Sequence, residues 1–394
     1  MGISVFLLEP HTGPVEARHY SSSLAGASAI HPDFIGTAQG LKVVVDLVKS
    51  VSARALLAND DKILLWLARN RAAFEPGCAV LASSAESLQR LFDKRNQIEL
   101  AKKSGFTVLP TWLIESVGDV HQIAVEHFPV CIRPSRLDSV QPNFKAEVLD
   151  SSLALTHFVQ SLSVIREQLI VQPFVSGPNL VVHGVRSPGG QITAMKAFIA
   201  YRKHQGFTLA LRPERLSPEL ELCCRKFAEL SDLSGSFHYD LLVSSEDGKV
   251  YFLEVNARLG GTTDKVWRLG FDEPGALLEA FGVTPVLAQT RQTPTVPFVV
   301  GKRLMAHNLI AALRGRLPVI DFPHTGRTLQ VLYSVWAILF FHDSVLDWSD
   351  VRGGIWYLFY KRAHTLTLIK TQPASISNDN GNQLTRAARP RDEQ

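Results

Sequence analysis

Cysteine is scarce, charge is never blocked and the familiar phosphate loops are missing, and each absence removes a class of protein. The chain of 394 residues holds 4 Cys. Cys223 and Cys224 are adjacent, while Cys78 and Cys131 stand alone. That spacing supports neither a disulfide scaffold nor a zinc site, and reduced thiols of a cytoplasmic protein are the default expectation. Net charge is +4, with no basic block, so a nucleic-acid partner is not implied. The most apolar run, Leu329 to Phe341, is interrupted by Gln330 and Ser334. It is too short for a bilayer core of about 30 Å and reads as a buried strand or strand pair. Met1 to Glu9 lacks a basic start, and Ile3 to Glu9 reads as a strand rather than a signal peptide. No Walker-type loop, Gly-x-Gly-x-x-Gly or Gly-x-Ser-x-Gly is present. A nucleotide, if bound, is held some other way.

What remains is an ordinary globular composition, 46% hydrophobic and 20% charged, long enough for two or three subdomains with cores of their own. Up to about residue 92, strands and helices alternate. Asp33 to Ser50 reads as a helix with Val43, Leu47 and Val48 inward. Ala53 to Asn59 reads as a strand, Lys62 to Asn70 as a helix, Ala79 to Leu81 as a strand, and Ser84 to Phe92 as a helix capped by Ser84. A βαβα pattern predicts a parallel sheet with flanking helices. Asp93 opens a further helix that Gly105 closes. Strands then follow at Phe128 to Ser135, Leu169 to Val175, Leu180 to Val185 and Gln191 to Tyr201, with helices at Leu153 to Ser163 and Pro218 to Leu230. Antiparallel strands backed by helices make an α+β unit.

The chemistry gathers at Phe237 to Gly261. Two β-prone runs flank Glu246-Asp247-Gly248-Lys249, a hairpin signal. Strand side chains alternate between faces, so Glu254, Asn256 and Arg258 share one wall. A carboxylate, an amide oxygen and a guanidinium suit Mg²⁺ with phosphate. Asp240 joins them if the loop has three residues, Glu246 to Gly248, with Gly248 left-handed. A two-residue turn would set Asp240 opposite Val255 instead.

Asp240 with Glu254-Val255-Asn256-Ala257-Arg258 and Gly260-Gly261 resembles the metal-binding hairpin of the ATP-grasp superfamily, in its carboxylate–amine ligase branches. The order of the other pieces resembles it too: Asp93-Lys94 opening a helix, then Gly105, then Arg133-Pro134-Ser135. The resemblance implies a fold of mixed α/β and α+β class. Residues 1–92 would be a parallel pre-grasp domain lacking its first βα unit. Residues 93–290 would be a two-subdomain ATP-grasp fold with antiparallel sheets. Beyond the part that the resemblance covers, patterning and composition predict a C-terminal α+β extension over 291–370 and a disordered tail over 371–394. The resemblance further implies ATP and Mg²⁺ (or Mn²⁺) as cofactors, with Asp240, Glu254 and Asn256 on the metal. Lys94 and Arg133 would meet the phosphates, and the hinge Gln172-Pro173-Phe174-Val175 the adenine. Arg258 would stabilise the transferring phosphoryl group or the acyl phosphate oxygens. Small carboxylate and amine substrates follow, joined through an acyl phosphate.

Two departures stand out. Arg133 replaces the usual Lys, keeping charge and adding a bidentate fork. The loop Arg136 to Asn143 contains no Gly, so backbone N–H groups cannot wrap anions in tight turns. Ser135, Arg136 or Ser139 would have to substitute. A nucleotide-binding regulatory subunit therefore stays open beside the ligase, as does a likeness of fold alone. Arg202, His204, Lys265 and Arg268 are candidates for phosphate or acceptor contacts, or surface groups. Pro285 to Pro297 reads as a linker, Phe298 to Leu304 as a strand, and the aromatic stretch Ile355 to Arg362 as a helix serving the core or a homodimer contact. Peripheral membrane contact is the lesser alternative there.

Overall fold

The computed structural model describes residues 4–10, 24–136, 138–283 and 298–354. The expected linker, the aromatic helix after Ile355 and the tail lie outside them.

The N-terminal part is a set of short parallel pairs with helices. Val5–Pro10 pairs in parallel with Leu24–Ile30, a strand the sequence patterns do not announce. Ala55–Leu56 pairs in parallel with Ala79–Val80, so the strand expected over Ala53 to Asn59 shrinks to its middle. Helix Ala38–Ser50 starts at the Thr37 cap rather than at Asp33 and buries Val44. Val43, expected inward, is exposed, because the face is set by Gly40 and Val44, one turn apart. Helices Asp61–Arg69 and Ala85–Leu91 carry the caps Asp60 and Ser84.

Two sheets follow, the smaller antiparallel and the larger antiparallel except for its two end pairs, which are parallel. The smaller runs Trp112–Ile114, Leu169–Pro173, Val130–Pro134, Glu147–Leu149 in spatial order. The larger is eight-stranded: His342–Asp343, Val299–Val300, Phe207–Glu214, Ile192–His204, Asn179–Arg186, Gly235–Val243, Val250–Asn256 and Thr107–Val108. Its inner face rests on Lys94–Ser104 and Pro218–Leu230 through Phe106, Phe227, Phe237, Tyr239 and Phe252. The opposite face turns toward the smaller sheet and carries Asp240 and Glu254.

Two C-terminal expectations fail. Phe298 to Leu304 contributes only Val299–Val300 as strand, and Lys302–Leu313 is helix. Leu329 to Phe341 is not a strand but part of helix Arg327–Phe340. Its buried side chains are Gln330, Ser334 and Ala337, four and three residues apart, a helical spacing. Those positions are polar or small, while Leu329, Leu332, Trp336, Leu339 and Phe340 are exposed. Counting apolar residues therefore missed the periodicity. Gln330 is anchored by the Arg202 guanidinium at 2.6 Å, which also lies 3.5 Å over the Tyr333 ring. Among the described residues no helix is long and apolar enough to cross a membrane.

Candidate active site

The hairpin register is the first determinant. Asp240 pairs with Glu254, as expected, but not for the expected reason. Val243 pairs with Val250, and the Ser244 N–H donates to Lys249 O at 2.8 Å. The loop is thus Ser245 to Gly248, one residue longer than anticipated, with Gly248 left-handed at φ 71°. Continued regularly, that register would set Leu253 opposite Asp240. A bulge intervenes: Leu241 pairs with Phe252 and Asp240 with Glu254, leaving Leu253 as the extra residue. The bulge also reverses the strand's phase. Phe252 is buried in the core, yet Glu254, two residues on, faces Lys94 across the site.

Lys94 opens its helix behind the Asp93 cap, which accepts from Arg95 N at 2.9 Å. Its ammonium forms an ion pair with Glu254. Gln97, one turn further, holds the helix to the strand: its side chain accepts from Val255 N at 2.9 Å and donates to Val255 O at 3.0 Å. Thr107–Val108 reaches only Tyr251 and Phe252, so Gln97 supplies the pairing that this edge lacks. No local pattern in the sequence signals that role.

The Asn256 amide donates to Asp240 Oδ2 at 3.2 Å. Arg133 donates to Gln172 Oε1 at 2.8 Å and to Leu253 O at 3.1 Å, joining the smaller sheet to the bulge. Gln172 is buried and donates to Thr111 Oγ1. Pro173 ends its strand opposite Val130, and the Phe174 N–H donates to Pro129 O at 2.8 Å. Val175 follows half-buried. Arg258 leaves this wall and donates to Asp61 Oδ1 at 2.5 Å, so it links the hairpin to the N-terminal helix. Lys94, Arg133, Gln172, Asp240, Glu254 and Asn256 are therefore joined in one contact network between the two sheets, while Arg258 turns to Asp61 at its edge.

The electrostatics separate the two carboxylates. Burial pushes Glu254 upward, but Lys94 and then Arg133 override it and hold the group well below the usual range. Burial and the Glu254 charge push Asp240 up to about 7. Burial drives the Lys203 ammonium down to about 8 despite Asp240 and Asp321. Lys203, a site cation the sequence reading did not assign, donates to Asn179 Oδ1 at 2.8 Å. A cavity of about 480 Å³ opens beside it, lined also by Asn308, Asp321 and Gln330.

The remaining candidates are engaged elsewhere. His204 is buried against Asp321 at 2.6 Å, Arg268 pairs with Asp347 at 2.5 Å, and Lys265 is buried with Asp264 at 3.7 Å. In the glycine-free loop, Arg136 lies 3.5 Å from Glu167, and Ser139 donates to Arg136 O. Beyond Asp240 on the same strand face, His238 stacks on His183 at 5.2 Å. Burial and then His183 push His238 down to about 3, so it stays neutral.

Several solved structures share this architecture. The biotin carboxylase domain dimer of Hydrogenobacter thermophilus 2-oxoglutarate carboxylase, solved with MgADP, ADP and bicarbonate, is similar with a TM-score of 0.55 and 17% identity, over 71% of this chain and 64% of its own. An N5-carboxyaminoimidazole ribonucleotide synthetase in complex with ADP is similar with a TM-score of 0.56 and 12% identity, over 85% and 90%. Campylobacter jejuni biotin carboxylase with a β-γ-ATP ligand gives 0.54 and 12%, over 85% and 96%. The chain thus spans 64% of the first of these relatives. By sequence, no family model and no curated protein matches it.

Proposed function

Because the chain has the ATP-grasp fold of these neighbours, we propose that it is an ATP-dependent ligase. It activates a carboxylate as an acyl phosphate and joins it to an amine. The observation that carries this is the wall of Asp240, Glu254 and Asn256 with Lys94 paired to Glu254 and Arg133 held on the neighbouring Leu253 O.

The donor set fits Mg²⁺ or Mn²⁺. Two carboxylates and an amide oxygen are hard ligands, and Mg²⁺ completes its shell with water and phosphate oxygens. Among the described residues, no three His, Cys, Asp or Glu side chains are placed to hold a metal by themselves, which suits an ion arriving with the nucleotide. When bound, the ion would draw charge from the β- and γ-phosphates. Lys94, released from Glu254, is then free to meet a phosphate oxygen. Arg133 stays where Gln172 and Leu253 O orient it, facing the same phosphates. A substrate carboxylate oxygen attacks the γ-phosphorus, the bond to the bridging oxygen breaks, and ADP leaves. The amine nitrogen next bonds to the acyl carbon, and phosphate departs. Arg258 is turned to Asp61 in this structure, and would neutralise the acyl phosphate oxygens only on exchanging that partner.

The glycine-free loop favours one second reading, a nucleotide-binding subunit without turnover. A single screen separates the two. The chain with MgATP is offered the twenty amino acids and common dicarboxylates, each with hydroxylamine or amines, and ADP and hydroxamate are measured. Acid-dependent ADP supports the ligase. Binding without turnover leaves the subunit role. ATP with Mg²⁺ at 100 times Kd should stabilise the fold by about 2.7 kcal/mol, and an unmoved Tm would overturn both.

The raised Asp240 pKa gives a second test. A divalent ion needs the ionised carboxylate, so binding below about pH 7 must expel the Asp240 proton. Proton release approaching one per ion is expected at pH 6 and close to none at pH 9, read by calorimetry in buffers of different ionisation enthalpy. Affinity should rise with pH up to about 7 and then level. Asp240→Asn should abolish the release; a release that persists in that variant removes Asp240 from the site.

A further inference from the structure

We infer that Thr262, His183 and Glu273 form a proton relay that accepts the proton of the incoming amine, an inference that rests on the ligase function proposed above. Glu273 and His183 are fully buried. Glu273 begins the helix Glu273–Ala280, where the helix dipole favours an ionised carboxylate. Its Oε2 accepts from Thr263 Oγ1 at 2.9 Å and lies 2.9 Å from His183 Nδ1. An ionised carboxylate can only accept, so the ring proton belongs on Nδ1. That leaves Nε2 as an acceptor, and Nε2 lies 2.9 Å from Thr262 Oγ1. The arrangement carboxylate, imidazole, hydroxyl follows the logic of a hydrolase triad, with Thr at its outer end.

Position supports catalysis over simple anchoring. Thr262 is half-buried, and its neighbour Gly261 is exposed, so the relay runs from an open loop inward. That loop directly follows Glu254, Asn256 and Arg258. Gly260 lets it close over the sheet: a Cβ there would lie 2.5 Å from the His238 ring. His183 pairs with His238, while Asp240 pairs with Val181, which puts the imidazole about 7 Å further along the strand than the metal wall. Glu273 Oε1 is buried with no hydrogen-bond partner among the described residues. A packing anchor gains nothing from a half-satisfied carboxylate, whereas a relay gains charge to balance an imidazolium. The other groups facing His183 are His238 and Asp240 on one neighbouring strand and Lys196 on the other. Lys196 is turned to Leu269 O at 3.3 Å.

In the step, the ammonium proton of the amine substrate first moves to Thr262 Oγ1 while the Thr262 proton moves to His183 Nε2. The freed amine nitrogen then bonds to the acyl carbon, the C–O bond to phosphate breaks, and the second N–H proton leaves with the phosphate. Glu273 stabilises the imidazolium until the proton leaves with phosphate or water. Hydroxylamine, already unprotonated at neutral pH, needs no such base and serves as the control nucleophile.

The test uses the full chain with MgATP, an acid from the pool above, and either hydroxylamine or an amine (ammonia and the amino acids). Thr262→Val should keep hydroxamate formation within about threefold and lose amide formation by 10²–10⁴-fold, the usual worth of general base catalysis. Thr262→Ser should restore both. His183→Asn, which retains a donor for Glu273, should behave like Thr262→Val. Parallel loss of hydroxamate and amide, or wild-type amide rates in Thr262→Val, would overturn the relay and leave the ligase standing. A wild-type chain that makes no hydroxamate from any acid overturns the ligase, and the relay with it.

Discussion

Glu254→Gln should lower acid-dependent ADP formation by about 10³-fold or more, because charge neutralisation at the phosphates is worth several kcal/mol. Glu254 is the most strongly ionised carboxylate of the wall, held so by Lys94 and Arg133, and it stands directly opposite Asp240. The amide keeps the shape and can still accept from Lys94, so the fold should lose only about 1 kcal/mol. Steady-state ADP release and a urea melt, run side by side, separate the two effects. A variant that turns over within threefold of the wild type would remove Glu254 from the reaction. A variant that fails to fold would be replaced by Glu254→Asp, which keeps the charge and shortens its reach.

Phe252→Ala should cost about 3–5 kcal/mol, the usual range for a buried Phe, a large part of the 5–15 kcal/mol that holds a typical domain. Phe252 is 1% exposed. Its ring lies 5.3 Å from Phe106 and 5.5 Å from Phe227, with which it stacks at 26°. The loss has a functional edge, because Phe252 is the last core residue before the bulge that turns Glu254 to the cleft. Without it, the strand can slip back toward the unbulged register, in which Glu254 would face away. The urea midpoint should fall with the slope unchanged, and the nucleotide-dependent rise in Tm should shrink. Leu332→Ala, at a 61% exposed position of helix Arg327–Phe340, should stay within about 0.5 kcal/mol. A small loss at Phe252 would mean that the aromatic cluster is not the support of the hairpin.

Much of the site was legible because its signals are local. Helix Lys94–Ser104 lies between an Asp cap and a Gly at φ 95°, and helix Pro218–Leu230 between Ser217 and the end of its apolar spacing. Each depends on backbone groups within one turn. Even the bulge left a trace: Val250 and Phe252 face the core, then Val255 and Ala257 do, a slip of one in the period-2 pattern that places the extra residue between them. Unbroken alternation with a three-residue loop yields the same register for Asp240 and Glu254 as the four-residue loop with the bulge.

The C-terminal helix Arg327–Phe340 is not legible in the sequence for a different reason. Helix Arg327–Phe340 turns Gln330 and Ser334 inward because Arg202 and Asn308 wait there. A polar residue is buried only where a distant partner satisfies it, so no local pattern could announce the inversion. The same holds for Gln97 on Val255 and for the contact of His183 with Glu273 and Thr262, whose members lie 90 and 79 residues apart in the chain. Dihedral preference and alternation were enough to place helices such as Lys94–Ser104 with their caps, and to gather the carboxylates and amide of Asp240, Glu254 and Asn256. Which cations meet those groups, which way Arg258 turns and which hydroxyl meets His183 came only with the three-dimensional fold. Those outcomes depend on long-range pairing and burial, which no window of sequence contains.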